Sequence, residues 1–310
     1  MFAITLKQMH YFCALARSLH FGRAAEAVNI SQPALSAQIA DMEAKLGYRL
    51  FERRRSGIAM TPQARALQPR VERILAEVKD LEDFASARRG VLEGRFRLGI
   101  IPTVAPYLLP KVLPAMRQAY RSLELELKEA VTETLLADLD AGRLDAIILA
   151  LPVAAPGIET RKLFDDRFLL AVCEADFGEL PAPASPDRID PSRLLLLDEG
   201  HCLRDQALKL CGSLRPRALA SCGATSLTTI IQMVGHGMGV TLIPEIAVEA
   251  ETRNASVRVL PFTESIPGRE VGIAWRKGSE RSADFAAMAS ILRRHRPRSR
   301  VEGFGSQPAS

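Results

Sequence analysis

At 310 residues the chain is long enough for two or three domains, each with its own core. A hydrophobic fraction of 47% and a charged fraction of 25% are ordinary for a globular protein. No run of eighteen apolar residues marks a membrane span, and the opening MFAITLKQMHYF lacks the basic-then-apolar order of a secretory leader, so no membrane partner and a cytoplasmic location are expected.

The first sixty residues read as helices joined by short turns. Leu6, Met9, Phe12, Cys13 and Ala16 recur at helical spacing, and the alanine-rich FGRAAEAVNI forms a second short helix that ends at Asn29. Ser31 caps a third helix, with Pro33 in its first turn and Gly47 at its end. The following LFERRRSGIAMT, apolar at both ends around a basic centre, suits a two-stranded wing. Residues 1–70 carry ten Lys/Arg against four Asp/Glu, so the rest of the chain sums to −1 within a net charge of +5. A basic head on a mildly acidic body fits a polyanionic partner such as nucleic acid, although a solvated basic face gives the same count.

From Pro62 to Arg89 one long helix is expected. Leu67, Val71, Ile74, Val78, Leu81 and Ala85 advance by alternate steps of four and three, a coiled-coil seam that favours a partner helix over packing on the chain's own body. Pro69 falls in its early turns as a candidate kink. Beyond Arg95 short apolar strands alternate with helical stretches: FRLGII, LELELKEA, LDAIILA, RFLLAVC, SRLLLLD, GVTLIP, VRVLPF and REVGIAWR. That alternation predicts an α/β domain with mostly parallel sheets. The expected division is a DNA-binding domain over 1–61, a linker helix over 62–90, a sensor domain over 91–295 and a basic, disordered tail over 296–310, with five arginines between 293 and 300.

A helix-turn-helix reads base edges with polar side chains at the start of its second helix. Ser31, Gln32, Pro33, Ser36 and Gln38 occupy that position here, and a glutamine can pair bidentately with adenine. Arg53, Arg54 and Arg55 on the wing suit phosphate or minor-groove contact. These residues lie within FCALARSLHFGRAAEAVNISQPALSAQIADMEAKLGYRLFERRRSGIAMTPQA, which resembles the winged helix-turn-helix of LysR-type regulators throughout, with SQPALSAQI and LFER…MTPQA as the specific motifs. The resemblance implies an α plus α/β chain: winged helix-turn-helix, dimerising linker helix, and a two-subdomain sensor of the periplasmic-binding-protein type. Promoter DNA and RNA polymerase are the partners it implies, with a homodimer or homotetramer as the assembly. One departure stands out: Ala40 and Asp41 occupy positions where such helices carry a basic pair, which weakens backbone anchoring from that turn.

Five cysteines, Cys13, Cys173, Cys202, Cys211 and Cys222, form no C-x-x-C pair and no zinc-ligand spacing, so neither metal nor cofactor is expected. Cys13 and Cys173 fall on apolar elements and read as core, while Cys222 is open between accessory thiol and packing. LLLLDEGHCLRDQALKLC places Cys202 at the start of a helix, with His201 beside it and Arg204 two residues on as candidate sources of positive charge for a reactive thiolate. On a continuous helix the nine residues to Cys211 span about 13.5 Å, too far for a disulfide without unwinding. Two buried structural thiols fit the same spacing.

GHCLRDQAL with its following cysteine, IPTVAPYLLP, LDAIILALP and ATSLTTIIQMVGHGMGVTLIP together resemble the OxyR branch of the LysR family, the hydrogen peroxide sensors. That likeness implies Cys202 as the peroxidatic cysteine, Cys211 as its resolving partner, and Thr103, Thr132, His201, Asp205 and Arg269 as the lining of a peroxide pocket. Without it, Thr103 and Thr132 read as helix caps and Arg269 as a surface charge or a salt-bridge partner. Two other readings are a LysR-type regulator that answers a small metabolite and a thiol peroxidase. The DNA-reading helix and wing count against the latter, so the chain is expected not to be an enzyme.

Overall fold

The computed structural model describes residues 3–54, 57–85, 90–177, 183–185, 189–210, 224–253, 255–262 and 267–297. The chain divides into two units, residues 1–88 with 138–143 and the remainder after residue 88.

The N-terminal unit holds α1 (Leu6–Ser18), α2 (Phe21–Ala27), α3 (Gln32–Leu46), a hairpin of β1 (Phe51–Arg54) and β2 (Gly57–Met60), and α4 (Pro62–Ala85). Local chemistry sets each boundary. Thr5 and Gln8 form a reciprocal capping box at α1, and Leu19 closes that helix in the left-handed region. Asn29 takes a positive φ of 53° between α2 and α3. Ser31 caps α3 by accepting from the Ala34 N–H, Pro33 lies in the first turn, and Gly47 ends the helix at φ 79°. Tyr11, Phe12 and Leu15 of α1 pack with Leu35, Ile39 and Met42 of α3 and with Val71 of α4 in one core. Asp41, the departure from a basic pair, has a structural use: its carboxylate accepts from Gln8 Nε2 at 2.5 Å and Lys45 Nζ at 2.6 Å, tying α3 to α1. The Lys45 ammonium beside it holds that carboxyl below the usual carboxylate range. Pro69 neither delays nor ends α4, which is helical from Pro62 to Ala85.

The second unit carries β3 (Gly94–Ile100), α5 (Ala105–Ala119), β4 (Leu123–Glu129), α6 (Thr132–Asp140), β5 (Ala146–Leu151), β6 (Ile158–Cys173), α7 (Cys202–Leu210), α8 (Leu227–Gly235), β7 (Thr241–Pro244), α9 (Glu245–Glu251), β8 (Val257–Leu260), β9 (Gly268–Arg276) and α10 (Ser282–Arg294). The sheet order is β4-β3-β5-β9-β6-β7, with β8 also on β6. Only β3 pairs in parallel, with β4 and β5; every other named strand pairing in this unit is antiparallel. The expectation of mostly parallel sheets is therefore corrected. The cause is the return of β9 between β5 and β6, which aligns a C-terminal strand against both.

Two subdomains result. β4, β3 and β5 with α5, α6 and α10 build the first; the end of β6 with β7, β8 and helices α7 to α9 builds the second. The 16-residue β6, more than twice the expected RFLLAVC strand, runs through both: it pairs with β9 over Ile158–Arg167 and with β7 and β8 over Phe168–Cys173.

SRLLLLD is not a strand. It begins as a 3-10 turn at Pro191–Arg193 and makes single bridges, Leu194 to Val240 and Leu197 to Ala224. All four leucines are buried, so the run fills core on both sides and shows no alternation. Gly239 permits its close passage, since a Cβ there would lie 2.3 Å from the Arg193 carbonyl oxygen.

Candidate functional site

On α3 the polar and apolar residues separate cleanly. Leu35, Ile39 and Met42 point into the core at helical intervals, which turns Ser31, Gln32, Pro33, Ser36 and Gln38 outward, all exposed. A turn of the chain behind α3 is held by Glu43, whose carboxylate accepts from the Leu50 N–H at 2.7 Å, the Phe51 N–H at 3.2 Å and Arg49 Nη1 at 3.1 Å. The buried Glu43 thereby sets the angle at which β1 leaves α3, and sequence reasoning had given it no role. The wing pairs Phe51 with Met60 through Arg54 with Gly57, which puts Arg53 and Arg54 on β1; Arg55 lies outside the described residues. On α4 the proposed seam is divided: Val71 is buried in the N-terminal core, whereas Ile74 and Leu81 are exposed, Leu81 by 65%.

The second unit gathers polar side chains where β3 ends and α7 begins. Thr103 follows β3 just before α5 and is buried. Arg269, the second residue of β9, has a fully buried side chain. Its Nη1 donates to Thr103 Oγ1 at 2.7 Å, its Nη2 to the Thr103 carbonyl at 3.0 Å, and the same Nη1 stands 3.9 Å from Cys202 Sγ as a donor. The opposite edge of the guanidinium meets Asp166 of β6, with Nε and Nη2 each 2.9 Å from Oδ2. The other carboxylate oxygen, Oδ1, accepts from the Ile246 N–H of α9 at 3.1 Å. Burial pushes the Asp166 carboxyl above its ordinary range, while Arg269 and the Ile246 N–H pull it back. A buried pair so arranged is worth most to the fold when intact; removing one partner of such pairs costs about 3–5 kcal/mol.

Cys202 opens α7, is partly buried and carries a free thiol. The turn before it is held by Gly200 at φ 89°, where an added Cβ would lie 3.7 Å from Val131, the residue preceding α6. This brings the start of α7 against the start of α6. Thr132 begins α6, and its Oγ1 is buried with no hydrogen-bond partner among the described residues. Neither threonine therefore serves as the helix cap that its position invites: Thr103 accepts from Arg269, and the Thr132 hydroxyl is unmatched among the described residues. His201 is buried beside Cys202, and burial pushes its imidazole below the usual value although Asp198 and Glu129 act in the other direction.

Other expectations fall differently. Arg204, a candidate source of charge at Cys202, instead donates to the Leu197 carbonyl at 3.0 Å. Asp205 is exposed on α7. α7 is helical through Leu210, and Cys211 and Cys222 lie outside the described residues. Cys13 and Cys173 are both buried, as expected of core thiols; burial pushes the Cys13 thiol up to about 12, and Cys173 Sγ meets the Gly235 carbonyl at 3.4 Å.

Beside Cys202 and Arg269, Asp166 and Gln206 are residues that sequence reasoning missed. Phe164, Asp166 and Phe168 are the buried phase of a strand whose Asp165 and Arg167 are exposed, so an acid in the inward register was the available signal. Gln206 follows Cys202 by four residues on α7, hence on the same face, and its Oε1 is buried without a partner among the described residues. Next to this group Tyr107 of α5 donates to Glu251 of α9 at 2.7 Å, and Thr228 of α8 donates to the same oxygen at 2.8 Å. The Tyr107–Glu251 bond joins the two subdomains, and burial together with Glu251 pushes the Tyr107 hydroxyl well up.

Comparison with known proteins bears on both regions. Residues 6–65 match the bacterial regulatory helix-turn-helix protein of the lysR family, and residues 89–297 match the LysR substrate binding domain. A probable hydrogen peroxide-inducible genes activator of Streptomyces viridosporus is 40% identical over 292 residues, covering 93% of each chain. Among solved structures, a full-length OxyR variant from Pseudomonas aeruginosa is similar with a TM-score of 0.78 at 32% identity, covering 94% of this chain and 96% of that one. An OxyR mutant of Corynebacterium glutamicum, solved with hydrogen peroxide bound, has a TM-score of 0.60 at 35% identity and covers 95% and 93%. The chain belongs to the LysR family of DNA-binding transcriptional regulators and, within it, to the group named OxyR and hydrogen peroxide-inducible genes activators.

Proposed function

We propose that this chain regulates transcription in response to hydrogen peroxide, with Cys202 as the oxidised residue and Cys211 as its disulfide partner. The observation that carries the reading is the guanidinium of Arg269, buried, anchored on Thr103 and 3.9 Å from Cys202 Sγ. A cation so placed favours the thiolate, the form that attacks peroxide. The sulfur displaces hydroxide from the O–O bond: an S–O bond forms, the sulfur loses two electrons, and the hydroxide leaves as water after taking a proton. The Thr103 and Thr132 hydroxyls and the neutral His201 supply hydrogen-bonding groups for the peroxide oxygens. The Cys211 thiol then attacks the sulfenic sulfur, forming the disulfide and releasing a second water.

Helical α7 makes that second step a conformational one. Leu210 lies eight residues beyond Cys202, about 12 Å along the helix axis, and one further residue adds at most about 3.8 Å. A disulfide needs Cα atoms within roughly 7 Å, so α7 must unwind for Cys202 to pair. Closing a loop of this size biases the balance by roughly 3 kcal/mol in the chain-entropy model, enough to help hold another arrangement.

The DNA-reading domain is 1–61, with Ser31, Gln32, Pro33, Ser36 and Gln38 assigned to base edges and Arg53, Arg54 and Arg55 assigned to phosphate or minor-groove contact. The linker is 62–90, the sensor 91–295, and exposed Ile74 and Leu81 supply the seam for a homodimer that pairs into a tetramer. Promoter DNA and RNA polymerase are the partners. The test is thiol mapping by mass spectrometry after stoichiometric peroxide, read with DNA footprinting. We expect a Cys202–Cys211 disulfide with a changed footprint, and a Cys202→Ser variant that binds DNA without responding. Reduced thiols together with a footprint that answers a small metabolite would establish the other reading.

A further inference from the structure

Arg269 faces two groups that compete for its charge, and only one of them belongs to the reaction. On one edge the guanidinium meets the Asp166 carboxylate at 2.9 Å through Nε and Nη2; on the other, Nη1 reaches Cys202 Sγ at 3.9 Å. We propose that Asp166 is a positioning residue for the peroxide reaction: acting through Arg269, it neutralises most of the charge the thiolate would otherwise receive. The inference rests on Arg269 serving Cys202 as described above.

Three observations support it. The side chains of Asp166 and Arg269 are 1% and 0% exposed, so no solvent screens the pair and the carboxylate is the main counter-charge. Arg269 has anchors that do not depend on Asp166, namely the Thr103 hydroxyl and carbonyl and the face of Phe168, 5.9 Å from the guanidinium carbon. Removing the carboxylate charge thus leaves the cation in place and unneutralised. Finally, Asp166 is itself fixed, because its second oxygen accepts from the Ile246 N–H at the start of α9.

The direction of the effect follows. With an amide in place of the carboxylate, the thiol becomes the nearest group able to balance Arg269, and the thiolate is favoured more than in the native chain. The other charged and titratable groups on the neighbouring elements are His201 with Asp198 and Glu129, which act on its imidazole, Arg204 and Asp205 on α7, and Tyr107 of α5 with Glu251 of α9. All of them are common to the chains compared, so their contributions cancel.

The test uses the full reduced chain and iodoacetamide, with Cys202 alkylation followed by mass spectrometry as a function of pH. Asp166→Asn is expected to move the half-maximal pH of alkylation down by about one unit, a tenfold faster reaction on the acidic limb. Asp166→Glu, which keeps the charge, is expected to restore the native profile. Arg269→Gln is expected to move the profile up, and if it leaves both profile and peroxide oxidation unchanged, the underlying reading of Arg269 fails. An upward shift in Arg269→Gln with no downward shift in a folded Asp166→Asn overturns the present inference alone. Should Asp166→Asn not fold, the doubly neutral Asp166→Asn/Arg269→Gln chain decides: its profile must match Arg269→Gln, because Asp166 acts only through the guanidinium, and a difference overturns the proposal.

Discussion

The recognition face of α3 and the pocket at Cys202 solve opposite problems with polar residues. On α3 three apolar side chains, Leu35, Ile39 and Met42, do the folding, and Ser31, Gln32, Ser36 and Gln38 are left in water. Ser31 uses its hydroxyl to cap the helix, and the side chains of Gln32, Ser36 and Gln38 are left for another molecule. In the pocket the polar residues around Arg269 are inside and constrained by their partners: Thr103 by Arg269, Arg269 by Asp166, Asp166 by the backbone of α9. A substitution on α3 acts through one side chain, whereas a substitution in the pocket is felt by every group bonded to it. Stability and function should therefore come apart in the first region and stay coupled in the second.

The largest expected effect tests the scaffold under the recognition face. Leu35→Ala removes a fully buried side chain and should cost the N-terminal unit about 2–5 kcal/mol, lowering its urea midpoint by helical circular dichroism. Trp275, the chain's single tryptophan, lies in the second unit, and the unfolding transition that it reports by fluorescence should not move. A matching shift at Trp275 would show that the two units unfold as one.

Next in size, Gln32→Ala is expected to lower affinity for the cognate promoter by about 1–3 kcal/mol, with little loss on unrelated DNA and no change in urea midpoint. Equal loss on all sequences would reassign Gln32 to the backbone.

The smallest effect concerns pH at the pocket. His201 has its folded value lowered by burial, so as pH falls below the unfolded imidazole value of about 6.5 the unfolded chain takes up a proton first. Its contribution is complete above that pH and is lost as pH falls toward the folded value. The urea midpoint read at Trp275 should drop between pH 7.5 and 5.5 in the native chain and drop less in His201→Gln. An identical drop in both would place the sensitivity elsewhere.

How far the sequence could be read differs along the same line. In the N-terminal unit the helix ends are announced by single residues, Asn29, Ser31 and Gly47, each of which acts within one turn of itself. The role of Asp41 was less visible, because its partner Gln8 is 33 residues away. In the second unit most strands were recognisable from β-branched and leucine runs, but Leu194–Leu197 looked like a strand because burial on both sides imitates one. β6 extended well before RFLLAVC because its first half, IETRKLFDD, is mostly polar and is held by pairing with β9. The pocket residues Thr103, Thr132 and Arg269 were reached by resemblance, not by pattern; His201 was noticed from its place beside Cys202, and Asp166 escaped because a single inward acid on a strand gives only a weak signal.

By itself the sequence determined what depends on near neighbours: the three helices and wing, the long α4, the outward set on α3, and a free thiol at the start of a helix. Periodicity and capping act over a few residues, and those distances are written in the chain. Tertiary structure alone decided that Arg269 lies between Asp166 and Cys202, across 103 and 67 residues of chain. That juxtaposition follows from β9 returning beside β6, a choice of pairing partner made by the whole sheet. No local stretch encodes it, because the buried charge becomes tolerable only when its partner arrives.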